Sequence, residues 1–254
     1  MSLPKVFLSQ PFAHRGYHDA AAGRIENSIE AARAAINAGY GIECDVQLTA
    51  DGEAVVFHDY DMKRLTGQAG PIQKRTLAEL CNIRLKGSQC VIPSLRDLLA
   101  VVAGQVPLLI EIKDQDGAMG PNVGRLEAAT ARAISDYDGP VALMSFNPNS
   151  IAELRRLAPK IPRGLTTSAY HSKDWGLLPA SVREHLREIP DYDRVEASFI
   201  SHEAKDLHRP RVAELKSKGA TILCWTIRSA EAETDARLIA DNITFEGYVA
   251  RTPT

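Results

Sequence analysis

Four short clusters of titratable side chains fall within the first sixty residues: Ala-His-Arg-Gly at 13–16, Glu-Asn-Ser at 26–28, Glu-Cys-Asp at 43–45 and Val-Val-Phe-His-Asp at 55–59. The pattern is apolar runs of strand character ending in polar clusters, and strand ends are where α/β sheets and barrels build ligand sites. Glu43 and Asp45 are two apart, so on a strand they project from one face while Cys44 points to the other. Glu111 ends a second apolar run, Val106–Ile112. Three carboxylates gathered at one mouth repel each other unless a cation compensates or one is protonated. Oxygen ligands without thiolates or paired imidazoles favour Mg²⁺ or Ca²⁺, with Mn²⁺ also suited, over Zn²⁺. Glu43, Asp45 and Glu111 are therefore candidate ligands of one divalent cation.

Cationic and basic groups accompany them. A turn at Thr49-Ala50-Asp51-Gly52 sets residue numbers summing to about 103 opposite one another, which brings His58 beside Asp45. Arg15 carries the planar fork preferred by phosphate oxygens, and Gly16 leaves room for close approach. Lys113 lies two residues beyond Glu111 on the same face and supplies a second cation. A metal, an arginine and a lysine suit a phosphodiester anion, whose cleavage depends on positioning and charge neutralisation. His14 and His58 are the candidate acid and base, since an imidazole of pKa about 6.5 serves either role near neutrality. Glu26 either steadies Arg15 or a substrate hydroxyl, or begins a helix. His18, His171, His185, His202 and His208 fall in expected loops or helices and read as structural or solvated, with His18 nearest the mouth.

The elements needed to hold these groups alternate regularly. Strand patterns are expected at 11–13, 41–46, 54–57, 106–112, 141–146, 163–167, 195–200, 221–227 and 247–250. Helical patterns lie between them at 28–38, 95–102, 122–137, 150–157, 181–188, 210–218 and 230–240, with Ser28 as an N-cap and Pro210 at a helix start. Such alternation predicts a parallel sheet wrapped by helices. Nine strands are one too many for an eight-stranded barrel, and 54–57 and 195–200 are the doubtful pair. Residues of about 60–88 read as an excursion inserted after His58, within one domain spanning 1–254.

A chain of 254 residues, 44% apolar, can build one large barrel core. Thirty basic against thirty-two acidic residues, without a long single-sign run, leave no nucleic-acid footprint. No apolar run reaches the ~20 residues needed to span a bilayer. Four cysteines without CxxC spacing and no leader-like start make a cytoplasmic protein the simplest reading. The sequence assigns no oligomeric state.

With His14-Arg15-Gly16 ahead of Glu43-x-Asp45 and His58-Asp59, and with Pro93-Ser94-Leu95, Glu111-Ile112-Lys113, Ser145-Phe146 and Trp225-Thr226 behind, the chain resembles the glycerophosphodiester phosphodiesterase family. The resemblance implies a (β/α)₈ TIM barrel, a divalent cation on Glu43, Asp45 and Glu111, and acid–base catalysis by His14 and His58. It further implies a small glycerophosphodiester as substrate, sn-glycerol 3-phosphate and an alcohol as products, and Trp225 at the glycerol end of the pocket. Attack by the glycerol 2-hydroxyl through a cyclic phosphate and direct attack by water are both open. His58, beside Asp45, is assigned to the attacking hydroxyl and His14 to the leaving group. Glu246-Gly247 with Ala250-Arg251 departs from the family's usual Asp-Gly and Thr-Asp, which touches the alcohol pocket. The rival readings are a metal-dependent barrel that abstracts a proton α to a carboxylate, and a non-catalytic phosphate-binding barrel.

Overall fold

The computed structural model describes residues 2–252. Nine strands run in chain order: β1 (Phe12–Ala13), β2 (Gly41–Leu48), β3 (Ala54–Val56), β4 (Leu108–Ile112), β5 (Val141–Ser145), β6 (Arg163–Thr167), β7 (Phe199–Glu203), β8 (Thr221–Ile227) and β9 (Asn242–Phe245). All but β3 pair in parallel, and β1 bonds to both β9 and β2, so eight strands close into a barrel. β3 pairs antiparallel with β2 alone and is the extra strand outside the wall. The helices are α1 (Ile29–Asn37), α2 (Lys63–Thr66), α3 (Leu77–Leu80), α4 (Leu95–Val102), α5 (Arg125–Ile134), α6 (Pro148–Leu157), α7 (Ala180–Arg187), α8 (Pro210–Ser217) and α9 (Ala230–Ala236). This is a TIM barrel, and its outer layer follows from small and branched apolar side chains on the inner faces of α1, α4, α5, α6 and α8.

The first βαβ unit shows how local chemistry sets the frame. Ser28 caps α1 through a hydrogen bond from the Ala31 amide at 3.1 Å, and Ala31, Ala32 and Ala35 are buried, so the helix lies close on the sheet. Inside the barrel the pleat points alternate residues inward. Phe12 and Phe199 fill the lower layer where Gly41 and Gly164 leave space; a Cβ on either glycine would come within 2.8 Å and 2.5 Å of those rings. Leu3 and Phe7, from the turn before β1, pack on Phe12, Leu109, Met144, Phe199 and Leu223 and close the bottom.

Three sequence expectations move. The seventh strand is not 195–200 but Phe199–Glu203, and the last is not 247–250 but Asn242–Phe245. Both true strands carry polar residues at inward positions, which an apolar pattern passes over. Asn242 donates to the carbonyls of Phe7 and Gln10 at 2.8 and 2.7 Å, whereas Val249 in the expected strand is 73% exposed. His202 lies in β7, fully buried, with Thr167 at 2.8 Å from its Nδ1. The β2–β3 register is also one residue short: Val46, Gln47 and Leu48 face Val56, Val55 and Ala54. Phe57 therefore donates to the Asp45 carbonyl at 3.0 Å, and His58 stands one step beyond.

The excursion after His58 holds α2 and α3 and has its own apolar core. Met62, Ile72, Leu80, Ile83 and Leu85 pack with Val55, Phe57 and Ile92 over the rim of β2–β3. No described helix is long and apolar enough to cross a membrane, and all four cysteines are free.

Candidate active site

Strand alternation delivers His14, Glu43, Asp45, Glu111, Lys113, Phe146 and Trp225 to one small inner pocket, joined there by Arg15 and His58. Glu43, Asp45 and Glu111 are 2, 1 and 6% exposed. One oxygen from each lies within 4.8 Å of the others, a spacing a single cation can span. Burial, with the charges of Asp45 and Glu111, pushes Glu43 well above the usual carboxylate range. Burial also opposes ionisation of Asp45, but the charges of Lys113, His58 and Arg15 outweigh it and hold Asp45 below that range. The Lys113 ammonium sits 2.7 Å from Asp45 Oδ1 and 2.5 Å from Glu111 Oε1, so it faces the carboxylates directly.

Arg15 adopts a left-handed conformation, φ 55°. Its amide donates to Glu43 Oε2 at 2.9 Å, and its guanidinium lies 2.7 Å from Glu26 Oε1. Its Nε is buried, 3.3 Å from Asp45 Oδ2, yet makes no hydrogen bond. A fork with an unused buried donor, opening on a pocket, is equipped to take an anion. Gly16 also meets a packing need: at φ 78° a Cβ would sit 2.9 Å from the Ala31 Cβ, so the glycine admits α1. Asn27 fixes Asp45 from behind, donating to Oδ2 at 2.9 Å and accepting from its amide at 3.3 Å.

Each histidine is tied to a carboxylate. His14 Nδ1 is 2.5 Å from Glu246 Oε2, and its Nε2 is 4.0 Å from Glu43 Oε2. Burial lowers the His14 pKa more than Glu246 raises it. The neutral ring therefore donates from Nδ1 to Glu246 and presents a lone pair on Nε2. Glu246 also accepts from Arg228 at 2.7 Å and has His18 Nε2 at 3.6 Å; the bonds from His14 and His18 draw it far below the usual carboxylate range. His58 Nδ1 is 2.8 Å from Asp59 Oδ1. Burial opposes ionisation of Asp59, but hydrogen bonds from His58 and Arg64 keep it ionised well below the usual range.

A larger cavity of about 1050 Å³ opens from His58, Glu111 and Lys113 towards the excursion, reaching Tyr60, Lys63 and Lys86. Its opposite wall is aromatic. Phe146 stands between Trp175 at 4.9 Å and Trp225 at 5.5 Å between ring centres, and Trp225 is pinned by a hydrogen bond to the Ser201 carbonyl at 2.9 Å.

Glu246, Asp59, Arg64, Asn27 and Trp175 are site residues to which the sequence gave no role. Asp59 and Asn27 stood inside quoted motifs beside His58 and Glu26. Glu246 follows a strand that the apolar pattern misplaced, and Trp175 is one of only two tryptophans in the chain. For Arg64, inside a polar excursion, no sequence signal existed.

A closed (β/α)₈ barrel whose mouth combines three buried carboxylates, two carboxylate-bound imidazoles and an arginine with a free donor defines a class of barrel with a site that could hold a cation beside an anion. The chain belongs to the family described as "Glycerophosphoryl diester phosphodiesterase family", whose model matches residues 14–244. A glycerophosphodiester phosphodiesterase from Bacillus altitudinis is 29% identical over 68% of this chain and 74% of its own length. A phosphodiesterase from Oleispira antarctica, solved with the product sn-glycerol-3-phosphate, is 25% identical with a TM-score of 0.77, covering 94% of this chain and 93% of that one. A glycerophosphodiester phosphodiesterase from Parabacteroides distasonis is 26% identical with a TM-score of 0.69, covering 93% and 92%.

Proposed function

We propose that this protein hydrolyses a glycerophosphodiester to sn-glycerol 3-phosphate and an alcohol, with one divalent cation held by Glu43, Asp45 and Glu111. The observation that carries the reading is the pair of carboxylate-anchored imidazoles flanking a buried three-carboxylate cluster in a barrel of this family. The donor set fits Mg²⁺ or Ca²⁺, with Mn²⁺ also suited: every ligand is a hard oxygen, and a cation would offset the burial and like-charge repulsion that raise the Glu43 pKa. When bound, the cation supplies positive charge to a phosphoryl oxygen.

The chain's own residues do the rest. Arg15, steadied by Glu26, binds phosphoryl oxygens through its fork, and Lys113 adds a second positive charge at the same place. His14 Nε2 accepts the proton of the attacking hydroxyl, because Nδ1 is occupied by Glu246 and the ring is neutral. His58 donates a proton to the departing alkoxide, because His58 lines the large cavity that can receive the alcohol and His14 does not. This reverses the division expected from the hairpin, whose register was one residue too long. The same two transfers serve attack by the glycerol 2-hydroxyl and attack by water. Trp225 forms the wall against which the glycerol portion rests.

Incubation with glycerophosphocholine, with and without EDTA, tests the reading. Chelator-sensitive release of choline and sn-glycerol 3-phosphate is the expected result. Binding of glycerol 3-phosphate without turnover would establish a phosphate-binding barrel instead, and inertness towards diesters with exchange of an α-proton on a carboxylate substrate would establish the other rival.

A further inference from the structure

Arg64 lies on α2, in the excursion, with its side chain 48% exposed. Its Nε and one terminal nitrogen bond the two oxygens of Asp59 at 2.6 and 2.9 Å. Both terminal nitrogens bond the two oxygens of Glu26 at 2.8 and 2.7 Å. One guanidinium thus closes two forks. Asp59 in turn holds His58 Nδ1 at 2.8 Å, and Glu26 holds Arg15 at 2.7 Å.

We propose that Arg64 is a positioning residue that fixes His58 and Arg15 relative to each other, through Asp59 and Glu26. The inference rests on the phosphodiesterase reading, since it gives those two ends their roles as proton donor and phosphate fork. An exposed ion pair stabilises a fold only slightly, so four bonds at one half-exposed side chain have little to do with holding α2 in place; the apolar cluster beneath already does that. What they do fix is orientation. Asp59 and Glu26 accept from the same terminal nitrogen, so their oxygens are close neighbours that repel once the guanidinium is gone. Only a planar fork satisfies both at once. The excursion therefore reaches the reaction centre by a chain of five side chains, Arg64, Asp59, His58, Glu26 and Arg15, and proton donor and phosphate fork move as one unit.

The test uses the full-length, metal-loaded protein with alkyl glycerophosphodiesters. Asp59→Asn, which loosens His58 directly, is expected mainly to lower kcat; Glu26→Gln, which loosens Arg15 directly, is expected mainly to raise KM. Arg64→Met should do both, each by about tenfold, the lower range for loss of an orienting partner. In the Asp59→Asn/Glu26→Gln background, Arg64→Met should cost nothing further. Arg64→Lys retains charge without the double fork and should stay impaired, and it provides the same comparison if the methionine variant melts below the assay temperature. Independently of turnover, the hydrogen-bonded Nδ1 proton of His58 should shift in the NMR spectrum of Arg64→Met. Unchanged kcat and KM, an equal fractional loss in both backgrounds, or an unshifted His58 proton would each overturn the proposal. A wild-type protein inert towards every diester would instead remove the phosphodiesterase reading, and the His58 signal would still decide the link.

Discussion

The two histidines differ in what surrounds them, and the proposed division of labour rests on that difference. His14 is enclosed, neutral and next to Glu43; His58 sits at the edge of the large cavity with an ionised aspartate behind it. Replacing either by alanine should lower kcat/KM roughly 10²–10⁴-fold on an alkyl diester. A p-nitrophenyl diester has a leaving group that hardly needs a proton, so His58→Ala should lose little there while His14→Ala loses as much as before. Equal losses on both substrates would remove the division. Glu246 should matter to the reaction chiefly through His14. Its hydrogen bond and charge raise the His14 pKa against burial, so Glu246→Gln lets that pKa fall further. The acid limb of kcat/KM against pH should move to lower pH, with a drop of about tenfold from lost orientation; an unmoved limb would detach Glu246 from the base. At this scale the sequence was informative where a titratable residue ended an apolar run, as at Glu43, Asp45 and Glu111. It was silent where the partner came from elsewhere in the chain: 232 residues separate His14 from Glu246.

At the scale of elements, the alternation of strands and helices was legible because parallel barrel strands are buried on both faces and read as continuous apolar runs. β7 and β9 escaped for the converse reason. Their inward positions, Ser201, Glu203, Asn242 and Thr244, are polar, so no continuous apolar run marks them; Asn242 and Glu203 are hydrogen-bonded and Thr244 lines the inner pocket. The excursion was legible as an insertion but not as a structural lid over β2–β3. Because it buries Phe57 to 1% exposure, its wholesale removal would strip a core surface and report on folding. Substitutions facing the cavity are the better probe. Tyr60→Ala and Lys86→Ala change the wall opposite Phe146 and Trp175 without touching the carboxylate cluster. They should alter the ratio of kcat/KM among choline, ethanolamine and glycerol diesters severalfold, the scale of ~1 kcal/mol of altered contact, while the apparent metal affinity stays constant. Identical ratios would mean that the alcohol lies elsewhere, for example along the groove between Trp225 and Lys205.

For the whole molecule, the mouth sets a limit on stability that the rest of the barrel must offset. Glu43 has its folded-state pKa raised, so its contribution is fully present below its unfolded value near 4.5 and is lost as pH rises towards the folded value. Glu246, Asp59 and Asp45 have theirs lowered, so their contributions are present above ordinary carboxylate values and are lost only in stronger acid. His14, also lowered, adds stability above about 6.5 and loses it as pH falls from there. Between about pH 5 and pH 7 the Glu43 and His14 terms oppose one another, so the melting curve of the wild type alone cannot separate them. A difference can. In EDTA, Glu43→Gln removes only the Glu43 penalty, and its Tm should exceed the wild-type Tm by an amount that grows with pH, about 2–4 °C for each kcal/mol recovered in a chain of this size. Adding Mg²⁺ or Ca²⁺ should raise the wild-type Tm most at the higher pH, where the ionised carboxylate is freed to bind, and should leave the Glu43→Gln variant nearly unmoved. A Tm difference independent of pH would show that Glu43 is ionised without a cation, and an equal metal response in both proteins would move the cation off Glu43.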